Sequence, residues 1–223
     1  MRENDLQFTI IVNLNISILV INKNNLTSLY LPRILRVSCF QKKVGMMKEI
    51  LVVSHCILNT ASKVRQDEKD LQEEYRLRDA LLKEAFEQHI QLLQLPCPEF
   101  YLYGPRRWGH VKDQFDNPRF ISTCRQLLDP ILDQLEMYAA QPADFKIIGI
   151  VSVEGSPSCG YRLTCRGPWC GEPDRDYFDD EKNQVVMSEE SGVFMETLVR
   201  DLSVRGLEIP ILTLEEAVNT ISK

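Results

Sequence analysis

Four short, continuous apolar runs, at residues 49–54, 90–95, 145–153 and 209–212, alternate along the chain with helical patterns. A run of this kind, without polar alternation, belongs to a strand covered on both faces. The segments between carry apolar residues at one- and two-turn spacing. Leu71, Tyr75, Leu82, Ala85 and Phe86 share one face of a helix predicted over 68–89, widened by Leu77 and Leu81 and interrupted by Arg78. A second helix is predicted over 119–140, with Pro130 kinking or dividing it, and a third over 191–204, capped by Gly206. A last helix starts near Thr213, and residues 183–187 suggest a short additional strand. Pro96 and Pro98 stop the second strand; the Gly- and Pro-bearing residues 99–118 and the Gly-, Pro- and Cys-rich residues 155–177 read as loops. The order predicts an α/β fold: a single three-layer, Rossmann-like domain with a mainly parallel sheet and helices on both faces.

Residues 1–45 do not join this pattern. The apolar stretch 8–21 is broken by Asn13 and Asn15 and is shorter than the roughly 20 residues a spanning helix needs. Its acidic lead-in and the lack of a small-residue cleavage site argue against a signal peptide. The reading is an N-terminal extension over 1–45, such as an upstream extension of the reading frame, with the domain occupying 46–223. The chain has 44% hydrophobic and 26% charged residues and a net charge of −6, which argues against a generally basic nucleic-acid surface. Seven cysteines without short repeated spacings do not form a secreted disulfide framework. A reducing, cytoplasmic setting without a membrane partner is expected.

Cys56, Cys97 and Cys159 each follow a predicted strand. In an open parallel sheet the loops leaving the carboxyl ends of strands collect at one edge, where ligands bind. Three thiolates meeting there repel unless a metal or cluster neutralises them. A structural zinc fills every coordination position with protein atoms, whereas a [4Fe–4S] cluster on three cysteines keeps one iron open to a soft substrate atom. Cys39 and Cys124 read as structural; Cys165 and Cys170, in the loop of Cys159, are candidates for a fourth ligand or a labile second site. Arg106, Arg107, Trp108 and His110 form a basic, aromatic group able to stack a heterocycle or bind a phosphate. His55 is expected to be a hydrogen-bonded neighbour of the site rather than a ligand, and residues 174–181 an acidic solvated loop.

Three motifs resemble the thiouracil desulfurase family, whose members remove sulfur from thiolated bases with a [4Fe–4S] cluster. They are Val53-Ser54-His55-Cys56-Ile57-Leu58, then Cys97-Pro98-Glu99 followed by Pro105-Arg106, and Gly155-Ser156-Pro157-Ser158-Cys159-Gly160. The third matches the family pattern without a change. The resemblance implies that Cys56, Cys97 and Cys159 hold the cluster, that Glu99 and Ser156 are catalytic, and that sulfur leaves a thiolated base, nucleoside or related small organosulfur compound as hydrosulfide. It also implies supply of the cluster by iron–sulfur assembly machinery. The departures lie around the pocket: Asn59 replaces a glycine, Val64-Arg65-Gln66-Asp67 follows a small insertion, and Phe100–Gly104 replaces a glycine-glycine-leucine run. Two other classes use the same residues, a non-catalytic zinc-binding or redox-sensing thiolate module and a thiolated-RNA-binding protein.

Overall fold

The computed structural model describes residues 10–13, 17–20, 47–168, 170–174 and 176–222. The chain divides into two compact units, Met1–Gly45 and Met46–Lys223. In the first, strands β1 (Ile10–Asn13) and β2 (Ser17–Val20) pair antiparallel. The expectation for 1–45 otherwise falls on residues outside those described, as does Cys39.

The second unit begins with β3 (Lys48–Val53) and the single turn α1 (His55–Leu58), then a 3-10 turn at Thr60–Ser62. The long helix α2 (Glu68–Glu87) leads to β4 (Gln91–Gln94), α3 (Pro98–Tyr103) and α4 (Lys112–Phe115). Next come α5 (Pro118–Ala139), β5 (Phe145–Val151) and β6 (Thr164–Arg166). The chain continues through α6 (Phe178–Lys182), β7 (Val186–Ser188), α7 (Val193–Val204), β8 (Ile211–Leu212) and α8 (Leu214–Ile221).

The main sheet has the order β4-β3-β5-β8, and every neighbouring pair is parallel. Chain direction across the sheet reverses at β3, so the switch point lies between β3 and β5. Burial follows the two-residue period of a strand. Leu51, Val53 and Val151 pack with Leu81, Ala85, Ala217 and Ile221 of α2 and α8. Val52 and Ile150 face the other way, into a core with Cys124, Leu128 and Leu135 of α5 and Phe194 and Leu198 of α7. The result is the expected three-layer α/β arrangement. A small antiparallel pair, β6–β7, stands outside the main sheet.

Three local expectations change. Residues 99–118 are not one loop, because α3 and α4 form within them. Pro98 sits in the first turn of α3, where its missing N–H costs nothing, and the Cys97 side chain caps the helix. Pro130 lies inside α5 without dividing it. The Cys159 loop contains β6, whose partner β7 begins three residues later than the predicted short strand. By contrast, Gly206 follows α7 at φ 68°, and the Leu207 N–H donates to the Leu202 carbonyl as a left-handed helix cap requires.

Candidate functional site

Each of the three strand-end cysteines is placed by a different local device. Ser54 starts α1, and its hydroxyl donates to the Val151 carbonyl at 2.8 Å, tying the end of β3 to the end of β5 across the switch point. Cys56 follows within that turn. The far end of α1 is held by Arg78, whose Nε donates to the Ile57 carbonyl at 2.6 Å. Cys97 precedes α3, and its Sγ accepts from the Phe100 N–H at 3.3 Å.

Cys159 is set by a dense group of hydrogen bonds. The Ser156 hydroxyl oxygen accepts from the backbone N–H groups of Ser158 and Cys159, at 3.3 and 3.1 Å. The Glu154 carboxylate accepts from the N–H groups of Tyr161, Arg162 and Leu163 at 3.2, 3.0 and 2.8 Å, and from the Ser152 hydroxyl at 2.6 Å. The loop then docks on the start of α7: the N–H groups of Gly192, Val193 and Met195 donate to the carbonyls of Gly160, Pro157 and Ser158. These bonds satisfy helix-terminal donors that no residue of the helix itself can reach.

Burial pushes all three thiols up, Cys56 to about 11, Cys97 above its ordinary value and Cys159 well above it. The three act on one another. Charge on Cys97 and on Cys56 opposes ionisation of Cys159, and charge on Cys97 opposes that of Cys56. Lys63, which also pairs with Glu74 at 2.6 Å, favours the Cys56 thiolate. Among the described residues no group of three or more His, Cys, Asp or Glu side chains is arranged to hold a metal ion. A four-iron cluster is a larger body than one ion and asks its thiolates to stand farther apart. Three free thiols at one sheet edge, Cys159 buried and Cys56 and Cys97 half-buried, are a soft donor set suited to such a cluster.

Glu99 lies in the first turn of α3 and is buried. One carboxylate oxygen accepts from the Ser158 hydroxyl at 2.5 Å and the other from Arg107 Nε at 3.1 Å. The Ser158 hydroxyl also reaches to 3.3 Å of the Ser156 hydroxyl and 3.5 Å of Cys159 Sγ. Glu99 and Ser156 are therefore joined through Ser158, a residue that was not singled out from the sequence. Its only signal there was its place in the Ser-Pro-Ser-Cys-Gly run.

The remaining expected residues distribute as follows. His55 hydrogen-bonds through Nδ1 to the Gln94 amide and stacks on Phe100 at 5.8 Å, while its Nε2 is buried without a partner among the described residues. Burial and the nearby Arg107 lower its pKa. His110 is held between Tyr103 and Phe115, with ring centroids 5.0 and 4.8 Å away. The Cys165 thiol donates to the His110 carbonyl at 3.4 Å, and Cys170 is exposed. Cys124 is part of the apolar core and is pushed up to about 12 by burial. Arg65, Arg106, Arg107 and Trp108 line a cleft of about 520 Å³. The acidic stretch 174–181 overlaps α6, none of whose residues is buried.

Fold and site together define an α/β protein with a thiol and carboxylate cluster at the carboxyl edge of a parallel sheet. The uncharacterized protein MJ0003 of Methanocaldococcus jannaschii is 35% identical to the chain over 112 residues, which is 50% of this chain and 67% of that protein. The chain belongs to the same family as that archaeal protein. No protein-family model and no solved structure matches the chain. Among the described residues no helix is long and apolar enough to cross a membrane.

Proposed function

We propose that the chain is an iron–sulfur-dependent desulfidase that removes sulfur as hydrosulfide from a thiolated base or a related small organosulfur compound. The observation that carries this reading is the convergence of Cys56, Cys97 and Cys159 with Glu99 at one strand-end edge. The three cysteines would hold a [4Fe–4S] cluster, which supplies one iron free of protein ligands as a Lewis acid for a soft sulfur atom.

The chain's own residues supply the rest. Glu99, held from both sides by Ser158 and Arg107, is a carboxylate of fixed orientation able to take a proton from water attacking the substrate carbon. The Ser156 oxygen is committed to two backbone N–H groups and, with the Ser158 hydrogen spent on Glu99, its own hydrogen points to the Ser158 oxygen at 3.3 Å, from where it can turn toward the departing sulfur. Trp108, exposed on the cleft beside Arg107, offers a face for a heterocycle. Thiolate chemistry of this kind belongs in a reducing compartment, so a cytoplasmic location and loading by iron–sulfur assembly machinery accompany the reading.

Anaerobic purification tests it. About four irons and four labile sulfides per chain are expected, with sulfide released from at least one member of a thiolated base and nucleoside panel. A colourless, zinc-loaded protein sinks the reading, and a protein that retains a thiolated nucleoside without releasing sulfide turns it into a binding module. Cys159→Ser is expected to abolish iron retention. Glu99→Ala is expected to keep the iron and lower sulfide release by roughly 10²-fold or more, the usual contribution of a general base.

A further inference from the structure

The cleft beside the carboxylate has an unusual charge balance for a chain of net charge −6. Its lining includes Arg65, Arg106 and Arg107 and no carboxylate. Arg65 and Arg106 form no hydrogen bond or ion pair among the described residues, so their charges remain available to a ligand. Arg107 differs from both. Its side chain is only 5% exposed. Nε is spent on Glu99 and one Nη1 hydrogen on the Gly104 carbonyl at 3.4 Å. A guanidinium carries five N–H donors in a fixed fork. Three of them therefore have no partner among the described residues, on a buried side chain that lines the cleft. No Arg107 nitrogen is among the buried side-chain atoms left without a partner, so its free donors meet water in the cleft, where a ligand acceptor can take that water's place.

From this geometry we infer that the cleft binds its ligand as a planar heterocyclic anion, stacked on Trp108 and hydrogen-bonded to the outward edge of Arg107. The inference rests on the desulfidase reading for the identity of that ligand as the substrate, and it narrows the substrate to its deprotonated form. Thiolated lactam rings lose their N–H proton more readily than their oxygen counterparts, which suits an anion site. Arg107 then acts in two directions. One edge of its guanidinium orients Glu99 and the other orients the ring, so the reacting carbon and the carboxylate are aligned by a single rigid group. Arg106 and Arg65 add attraction without that alignment.

The test is calorimetric titration of the full chain, purified anaerobically, with orotate as a planar heterocyclic anion that has no sulfur to lose. Saturable binding that weakens with added salt is expected. Arg107→Gln and Arg107→Lys are both expected to weaken it tenfold or more, Lys because it keeps the charge but loses the fork. Arg106→Gln is expected to weaken it only a few-fold. The Lys variant guards against a folding artefact, since it preserves a cation opposite Glu99 and its melting temperature can be compared with that of the wild type. Absence of saturable orotate binding, unchanged affinity in Arg107→Lys, or equally tight binding of neutral uracil overturns the inference. Iron content, measured on the same samples, scores the desulfidase reading separately.

Discussion

Gly160 stands where the Cys159 loop is tightest: a Cβ there would lie 2.0 Å from the Leu163 carbonyl oxygen and 2.8 Å from that of Ser156. Both obstacles are backbone, so no side chain can swing away. Gly160→Ala is expected to displace the loop, lowering the melting temperature and the iron content together; an alanine variant with wild-type values of both would remove the packing argument. The thiols allow a second prediction at this scale. Because burial raises Cys56, Cys97 and Cys159, all three are protonated near neutral pH in the metal-free protein. Iodoacetamide at pH 7 is expected to alkylate exposed Cys170 well ahead of these three. Mass spectrometry of the time course reads the order directly. The strand-end placement of the three cysteines was legible from the sequence, because strand ends share an edge. Ser158 was not, and Arg107 was legible only as one of a basic, aromatic group; their contacts with Glu99, 59 and 8 residues away, depend on rotamers that no local pattern encodes.

A network of charges ties α4 to β6, to α7 and to Glu190 between β7 and α7. The Lys112 ammonium is buried and donates to Glu190 at 2.7 Å and Glu196 at 2.5 Å. Arg166 in β6 reaches Glu190 at 2.5 Å and Asp113 at 2.7 Å. Arg166 first, then Lys112 and Ser188, hold the Glu190 carboxyl far below the usual carboxylate range. A depressed carboxyl stabilises the fold above its unfolded value of about 4.3 and loses that contribution as pH falls through the range below it. Glu190→Gln is therefore expected to lower the melting temperature at pH 7 and to differ less from wild type as pH drops toward 3. Partial exposure of the carboxylate keeps the effect modest. A gap between the two proteins that is constant with pH would contradict this account. Elements such as α2, α5 and α7 were legible because an apolar stripe fixes a helix whatever its neighbours do. The short helices α3 and α4 were hidden by the glycines and prolines around them. In α3 a proline at the first turn and a thiol cap start a helix in a stretch that reads as loop.

The sheet has two cores, one on each face, and they are of unequal size. Leu128 on α5 is fully buried in the larger and Leu81 on α2 in the smaller. Truncation of either to alanine is expected to cost about 2–5 kcal/mol in a denaturant titration. A loss below about 1 kcal/mol at both would mean that the helices contribute little to the sheet's cover. The three-layer class followed from the alternation of apolar runs with helical stripes. The strand order did not, because continuous apolar strands are covered on both faces and say nothing about which neighbour each one takes. The pairing of β3 with both β4 and β5 had to be seen.

Ser54 spans the two strands on either side of the switch point, and Cys56 and Cys159 follow the strands it joins. The thiols are thus contributed by three separate turns, the last of which can be placed only after β5 has been inserted beside β3. A ribosome that has released only the first half of the chain has made two thiols of the set and none of the geometry. Any occupant that requires all three must be acquired after translation of the third turn, and its arrival reports that the central sheet has closed.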